Sequence, residues 1–423
     1  MKIAYILLHF PYPTETFVAE EIAALRTQGT NVQIVSLLGP GKGVVQPLSQ
    51  RLLRHTWYAP GLWSPKLWIA QGFFLFQQPR QYAALLSRLI RQPYPKRFLP
   101  LLLKRLVIFL KAIATAYHLR TSSIQLLHAH FAWLPGAAAW IIARLLGLPF
   151  TVTVHAYDLY YSNDLLTLVI GEAERVIAIS EYNREYVMAQ GNCPREAVTV
   201  IHCGVNFAEI PARTTPRRRP PGEPLRILSV GSLVPKKGHA VLISACHHLK
   251  QKGYDFTCTI IGDGPQAASL RRQVREKGLQ TYVNLLGPRP HPEVMEAYAH
   301  HDIFVLASIV TPTGDRDGIP VVLMEAGAAG LPLISTPISG IPELVRHGQT
   351  GWLVPSGDAK ALAEAIERLA QDPDLRERLG DNARSLVESE FHLTENARRL
   401  LLLFQEVIQQ HSTSQSPSFE IPG

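Results

Sequence analysis

Short apolar runs, each followed by apolar positions at three- and four-residue spacing, recur along the 423-residue chain. Residues 3–8 form one such run. Val18, Ile22 and Leu25 follow at helical spacing, Gly29 stops the pattern, and a second run covers 31–37. This is a β-α-β opening, and its first loop, His9 to Phe17, lies where open α/β sheets bind ligands. Strands are predicted at 124–129, 149–154, 175–180 and 198–202, with a helix around 137–146. Pro149-Phe-Thr-Val-Thr-Val154 is continuously apolar and β-branched, the pattern of a strand buried on both faces of a parallel sheet. Periodicity disappears over 208–224, where Pro211, Pro216, Arg217-Arg-Arg-Pro-Pro221, Gly222 and Pro224 mark a domain boundary and hinge. The alternation restarts with a strand at 225–231, a loop at 232–238 and a helix at 241–250. The expected organisation is an N-terminal α/β domain at 1–207, a linker at 208–224 and a second α/β domain at 225–393. A last helix covers 394–410, and the tail 411–423 reads as disordered.

One region departs from this alternation. Between 57 and 117, Trp57, Tyr58, Trp63, Trp68, Phe73, Phe74 and Phe76 are interleaved with Arg80, Arg88, Arg91, Lys96, Arg97, Lys104, Arg105 and Lys111. No apolar run approaches the roughly 20 residues that span a bilayer. Amphipathic helices of this make-up suit the surface of an anionic membrane. The alternative is helices packed on the first sheet, with their cations in water.

Composition narrows the function classes. With 47% hydrophobic and 18% charged residues the chain fills ordinary cores. Its four cysteines form no Cys-x-x-Cys pair and read as reduced thiols. The first apolar run is too short for a signal-peptide core, so a cytosolic location is expected. A net charge of +8 admits nucleic acid, an anionic membrane or an anionic substrate. No nucleic-acid module is present, and the charge forms no single block.

Candidate chemistry gathers at the predicted strand ends. After the apolar run 302–307 comes Thr313-Gly-Asp-Arg-Asp-Gly-Ile-Pro-Val-Val-Leu-Met-Glu325. Gly318 and Pro320 are expected to open a helix whose first amides suit a phosphate. Asp317 and Glu325 are eight residues apart, a little over two helical turns, so both can face one cleft. A plain capped core helix shows much of the same pattern. Phe256-Thr-Cys-Thr-Ile-Ile-Gly262-Asp-Gly264-Pro-Gln-Ala267 alone suggests a dinucleotide site, but the acid expected on the next strand is missing, which argues against NAD. His155 ends a predicted strand, faces the cleft, and has Asp158 three residues on to orient it. His128 and His130 invite a metal reading. With no carboxylate or third histidine nearby in sequence, core packing is expected instead. Thr14, Glu15 and Thr16 read equally as a helix N-cap or as acceptor contacts.

Carboxylate-x7-carboxylate around Gly-x-Pro, followed by Glu325-Ala326 and Gly330-Leu-Pro332, resembles the donor-nucleotide motif of retaining glycosyltransferases of family 4. That resemblance implies the GT-B fold, two Rossmann-like doubly wound domains facing across a cleft, with the final helix crossing back to the first domain. The Pro-x-Pro-Thr-Glu-Thr-Phe loop resembles enzymes of exopolysaccharide assembly, including the colanic-acid type. Lys237 before Gly238 resembles the family's pyrophosphate lysine. Ser232 stands where the family commonly has an Arg, and Asp317 where it usually has Glu; Arg289 or Lys236 are the candidates to replace the missing cation. The resemblance further implies donor contacts from Gly231, Ser232, Lys237, Gly262, Gly264, Arg289, Gly318, Ile319, Pro320, Val321 and Glu325. It gives His155, Asp158, Lys237 and Asp317 catalytic roles, and places the turn 287–291 near the base.

The function so implied is transfer of a sugar from a UDP- or GDP-linked donor to a lipid-linked oligosaccharide at the inner face of a bacterial membrane. Asp315-Arg-Asp317 is also an Asp-x-Asp, but it precedes a helix in the second domain, so no metal or cofactor is expected. The rivals are a nucleotide-sugar epimerase of similar fold and a non-catalytic carbohydrate-binding protein.

Overall fold

A computed structural model of the chain describes residues 1–12, 15–41, 46–94, 98–161, 164–190, 193–211 and 223–415. Two compact units result. The first comprises Met1–Ile179, Asn183–Ile201 and the chain from Thr394 onward; the second comprises Ser180–Tyr182 and His202–Leu393.

The first unit is built on a parallel seven-stranded sheet. Its strands are β1 (Lys2–Leu7), β2 (Asn31–Ser36), β3 (Thr56–Tyr58), β4 (Leu126–His130), β5 (Phe150–Val154), β6 (Arg175–Ala178) and β7 (Val198–Val200). They lie in the order β3-β2-β1-β4-β5-β6-β7, so the order reverses between β1 and β4. Every residue of β4 and β5 is buried, as the continuous apolar run predicts. The polar side chains on these strands therefore have to pair with one another. His128 is in register with Thr151, and its Nδ1 lies 2.8 Å from the Thr151 hydroxyl.

The second sheet contains β8 (Leu225–Val230), β9 (Phe256–Ile261), β10 (Val283–Gly287), β11 (Ile303–Val305), β12 (Leu333–Ser335) and β13 (Gly351–Leu353). Its order is β10-β9-β8-β11-β12-β13, with the reversal between β8 and β11. Loops after those two strands are thereby brought side by side at the ligand-binding edge of an open α/β sheet. Two glycines make the approach feasible. Gly238 has φ +65°, and a Cβ there would stand 1.7 Å from the Ala307 carbonyl oxygen. At Gly262 a Cβ would fall 1.9 Å from the Gly231 oxygen. No side chain fits at either position.

Two expectations about organisation differ from what is observed. The first unit ends at Ile201 rather than 207, because Val205 bridges to His392 and its amide donates to Phe391. The final helix runs Leu393–Gln415, so 411–415 are helical rather than disordered. Phe404 on that helix is buried against the His128 ring of the first unit, which explains the helix's place there. Residues 416–423 and 212–222 of the expected tail and linker lie outside the described residues.

The aromatic and basic region forms helices Pro65–Gln77, Pro79–Ile90 and Phe98–Leu119. Two of its cations are internal. Arg105 is fully buried, pairs with Asp164 at 2.7 Å and lies over the Tyr94 ring; Lys111 donates to the carbonyls of Ala59 and Pro60. Neither is available to a membrane. Trp63 and Phe76, by contrast, are 96% and 88% exposed. Among the described residues, no helix is long and apolar enough to cross a bilayer.

Candidate active site

In the second unit the loop after β8 carries Pro235-Lys236-Lys237 as one 3-10 turn, closed by Gly238. The loop after β11 carries Asp315 and Asp317. Lys237 Nζ donates to Asp317 Oδ1 at 2.9 Å, and Lys236 Nζ to Asp315 Oδ1 at 3.0 Å. Ser308 donates to the other oxygen of Asp317 at 3.0 Å. The two carboxylates of the Asp-x-Asp are thus engaged by successive lysines. Lys237 and Asp317 are largely buried, with 14% and 8% of their side chains exposed. Asp317 neutralises the lysine charge.

The helix is shorter than the motif suggests. It spans Val321–Ala328 with Pro320 at its N-cap, so Gly318, Ile319 and Pro320 precede it. Asp317 therefore lies outside the helix that carries Glu325. Helical geometry leaves the amides of Val321 and Val322 without acceptors in the helix. Glu325 instead faces the helix His291–His300. Tyr298 donates its hydroxyl to Oε2 at 2.9 Å, and His291 Nε2 stands 3.5 Å from Oε1. Burial and the adjacent Glu325 charge raise the Tyr298 phenol well above its ordinary range, so it remains a donor. Arg289 pairs with Glu293 at 3.5 Å. With Lys236 on Asp315, neither candidate replacement for the missing Arg is an unpaired cation. Gly231 and exposed Ser232 form the start of the lysine loop, whose Leu233 amide donates to Asp263 between Gly262 and Gly264.

His239, one turn on, is buried beside Lys237. Burial first, then the lysine charge, push its imidazole down to about 4.

The first unit holds a second cluster, at the edge where its strand order reverses. His155, after β5, is 6% exposed. The Asp158 carboxylate accepts the backbone amides of His155 at 2.8 Å and Ala132 at 2.7 Å, and the Asp158 amide meets the His155 side chain in return, a capping box at the start of the helix Ala156–Tyr160. Burial raises the Asp158 carboxyl to about 7 despite those bonds. The ring also meets His130, with His130 Nδ1 and His155 Nε2 3.0 Å apart. His130 Nε2 is 3.0 Å from Glu21 Oε1, and Tyr5 donates to the same oxygen at 2.7 Å.

A carboxylate and a third histidine therefore do lie beside His128 and His130, contrary to the expectation from sequence. Glu21, His128 and His130 place ligand atoms within 4.8 Å of one another. Each is already hydrogen-bonded, His128 to Thr151 and Thr153. Glu15 is the N-cap of the helix Thr16–Thr27 but makes no side-chain capping bond. Burial raises its carboxyl to about 7, opposed by nearby His130. Thr16 begins the helix, and Thr14 lies outside the described residues.

Sequence reasoning missed Tyr298, Ser308 and Glu21. Each sits at an ordinary position of a strand end or helix, with no local signal; only the fold brings it to its partner.

The family model for glycosyltransferase family 4 matches residues 14–209, and that for glycosyl transferases group 1 matches 213–386. WcaL of Escherichia coli (strain K12), which carries the name of a colanic acid biosynthesis glycosyltransferase, is 32% identical over 430 aligned positions. That match covers 96% of this chain and 100% of WcaL. The chain belongs to glycosyltransferase family 4.

This glycosyltransferase is also 40% identical over 224 residues to the amylovoran biosynthesis glycosyltransferase AmsK of Erwinia amylovora, covering 53% of this chain and 54% of AmsK. Among solved structures, Anabaena Alr3699/HepE in complex with UDP-glucose matches with TM-score 0.68 at 17% identity, over 96% of this chain and 100% of that one. The fold is accordingly GT-B, with two Rossmann-like α/β domains. Family membership makes the protein a glycosyltransferase rather than an epimerase or a sugar-binding module.

Proposed function

We propose that the enzyme transfers a sugar, with retention of configuration, from a UDP- or GDP-linked donor to a lipid-linked oligosaccharide in exopolysaccharide assembly. The observation that carries the donor half is the pairing of Lys237 with Asp317 at the strand-order reversal of the second sheet, next to the helix that starts at Val321. An ammonium held by a displaceable carboxylate beside unpaired amides suits a leaving diphosphate, whose charge grows in the transition state. Glu325, with Oε2 taken by Tyr298, offers its other oxygen to ribose hydroxyls. Gly231, Ser232, Gly262 and Gly264 line the approach to the phosphates. Asp317 addresses the sugar, and the departing phosphate oxygen takes the acceptor proton on the same face, so no protein base is assigned.

The relatives named for colanic acid and amylovoran biosynthesis, and the UDP-glucose in HepE, support this reading. The reaction takes place at the inner face of the cytoplasmic membrane, with the enzyme held peripherally by its exposed aromatic residues. It needs no metal: Asp315 and Asp317 are committed to lysines. The test is a screen of UDP- and GDP-sugars, scored by nucleotide release with membrane extract as acceptor, with and without EDTA. Release from one donor, dependent on extract and insensitive to EDTA, is expected. Turnover in the absence of any acceptor, or loss of turnover with EDTA, would overturn it.

A further inference from the structure

Aromatic rings continue outward from His155 where the chain leaves β4 and β5. Phe131, the residue after β4, packs on the His155 ring at 4.6 Å and meets Tyr157 edge-on at 6.5 Å. Trp133 lies 5.8 Å from Tyr157 on one side, and Tyr161 lies 5.4 Å from it. Tyr157 and Tyr161 are 43% and 56% exposed. β4 borders the reversal of strand order in this sheet, so these rings stand at its ligand-binding edge. Aromatic rings left together in water at such an edge mark a binding surface.

Buried polar groups hold the rings in place. The Asp158 carboxylate ties the amide of Ala132 to that of His155, which fixes the loop after β4 to the short helix Ala156–Tyr160. The Trp133 indole donates to Asp164 at 3.1 Å, and the fully buried Arg105 holds Asp164 at 2.7 Å. A buried ion pair adds little net stability; here it sets the orientation of an indole. Phe131 adopts φ 72°, a costly conformation for a bulky residue. Strain of this kind persists where the surroundings over-determine it, as at ligand clamps.

The chemistry of this surface suits a sugar. A pyranose turns a patch of weakly positive C–H groups to one face, which packs on the negative face of an aromatic ring, while its hydroxyls stay at the rim. Tyr and Trp supply such area at small entropic cost, having two side-chain torsions each. Lys104 stands over Trp133 at 5.7 Å and adds a positive charge beside the rings. We propose that Trp133, Tyr157 and Tyr161 form the acceptor subsite of the first domain, a stacking surface for the pyranose rings of an anionic glycan whose charge Lys104 meets. This rests on the reading that the enzyme extends a glycan acceptor. The surface is separate in the chain from Trp63 and Phe76, which lie before and on the helix Pro65–Gln77.

The test uses the full chain and acidic oligosaccharides made by partial hydrolysis of the exopolysaccharide from the bacterium that supplies the membrane extract. Tyr157→Ala and Tyr161→Ala should each weaken oligosaccharide binding about two- to tenfold, the effect of losing one ring contact. The amount of extract needed for half-maximal turnover should rise by the same factor. Tyr157→Phe and Tyr161→Phe keep the ring and should recover most of the binding. Lys104→Gln should weaken binding of the acidic oligosaccharides but not of a neutral fraction. The KM for nucleotide sugar should stay within about twofold throughout. A wild-type acceptor requirement in the folded double variant Tyr157→Ala/Tyr161→Ala would overturn the subsite, as would a loss shared equally by donor and acceptor. Weakened flotation with phosphatidylglycerol vesicles at unchanged oligosaccharide binding would overturn it too, by assigning the rings to lipid. If the rings govern oligosaccharide binding but no glycan in the extract gains a sugar, the acceptor reading falls and the sugar-binding surface stands.

Discussion

Replacing Lys237 by alanine should separate two roles of one ammonium. At 2.9 Å and an effective dielectric near 20, its gross attraction to Asp317 is about 6 kcal/mol. Desolvation offsets much of this. What the substitution costs is set by the carboxylate left behind, which is largely buried and keeps only Ser308 among the side-chain partners described. Breaking a buried pair on one side typically costs about 3–5 kcal/mol. Because Ser308 remains and a small part of each side chain meets solvent, about 2–4 kcal/mol is expected here. Turnover should fall by about 10²–10³, as when one preorganised donor to a developing anion is removed. The fall should exceed the loss in ground-state affinity for the nucleotide diphosphate. Asp317→Asn separates the effects. Alone, it frees the ammonium and should tighten diphosphate binding in calorimetry. Combined with Lys237→Ala, it should restore most of the stability in urea titrations but none of the diphosphate affinity. If Lys237→Ala binds and turns over normally once stability is restored, the pair is a structural ion pair and the donor assignment fails.

Other outcomes follow from the same contacts. Glu325→Ala should weaken nucleotide binding more than tenfold, from roughly 1.5–3 kcal/mol of charge-assisted hydrogen bonding; unchanged calorimetric affinity in a folded variant would remove the ribose assignment. His239, held down to about 4, stays neutral in the folded protein while the unfolded chain protonates near 6.5. Its contribution to stability is therefore present above pH 6.5 and lost as pH falls towards 4, by up to about 3 kcal/mol. His239→Gln should flatten that limb in urea titrations at stepped pH, and parallel curves would refute it. Changing exposed Trp63, Trp68 and Phe76 to serine should weaken binding to anionic vesicles in flotation assays, and wild-type binding should fall with added salt. Equal binding to neutral vesicles would exclude the electrostatic part.

The restart of the strand–helix alternation after 224 made a two-domain α/β chain legible, because parallel strands buried on both faces must be written as continuous apolar runs. Gly238 and Gly262 were legible as loop glycines, though only the 1.7 and 1.9 Å approaches explain why nothing larger fits. Lys237, Asp317, Glu325 and His155 could be singled out because they follow strands at spacings a motif preserves. Their partners could not. Tyr298 lies 27 residues from Glu325, and Glu21 lies 109 from His130.

The sequence by itself determined most of the strands and helical stretches, the presence of two α/β domains and the loops that carry chemistry. Each of these depends on local periodicity, backbone restriction or a short motif. Tertiary structure alone decided the rest. It paired Lys236 and Lys237 with Asp315 and Asp317, moved the helix start to Val321, and took Arg105 and Lys111 out of solvent. It also set Glu21 and His155 beside the buried His130. Charges and imidazoles act over a few ångströms, and which groups come that close depends on strand order, which the order of residues along the chain does not display.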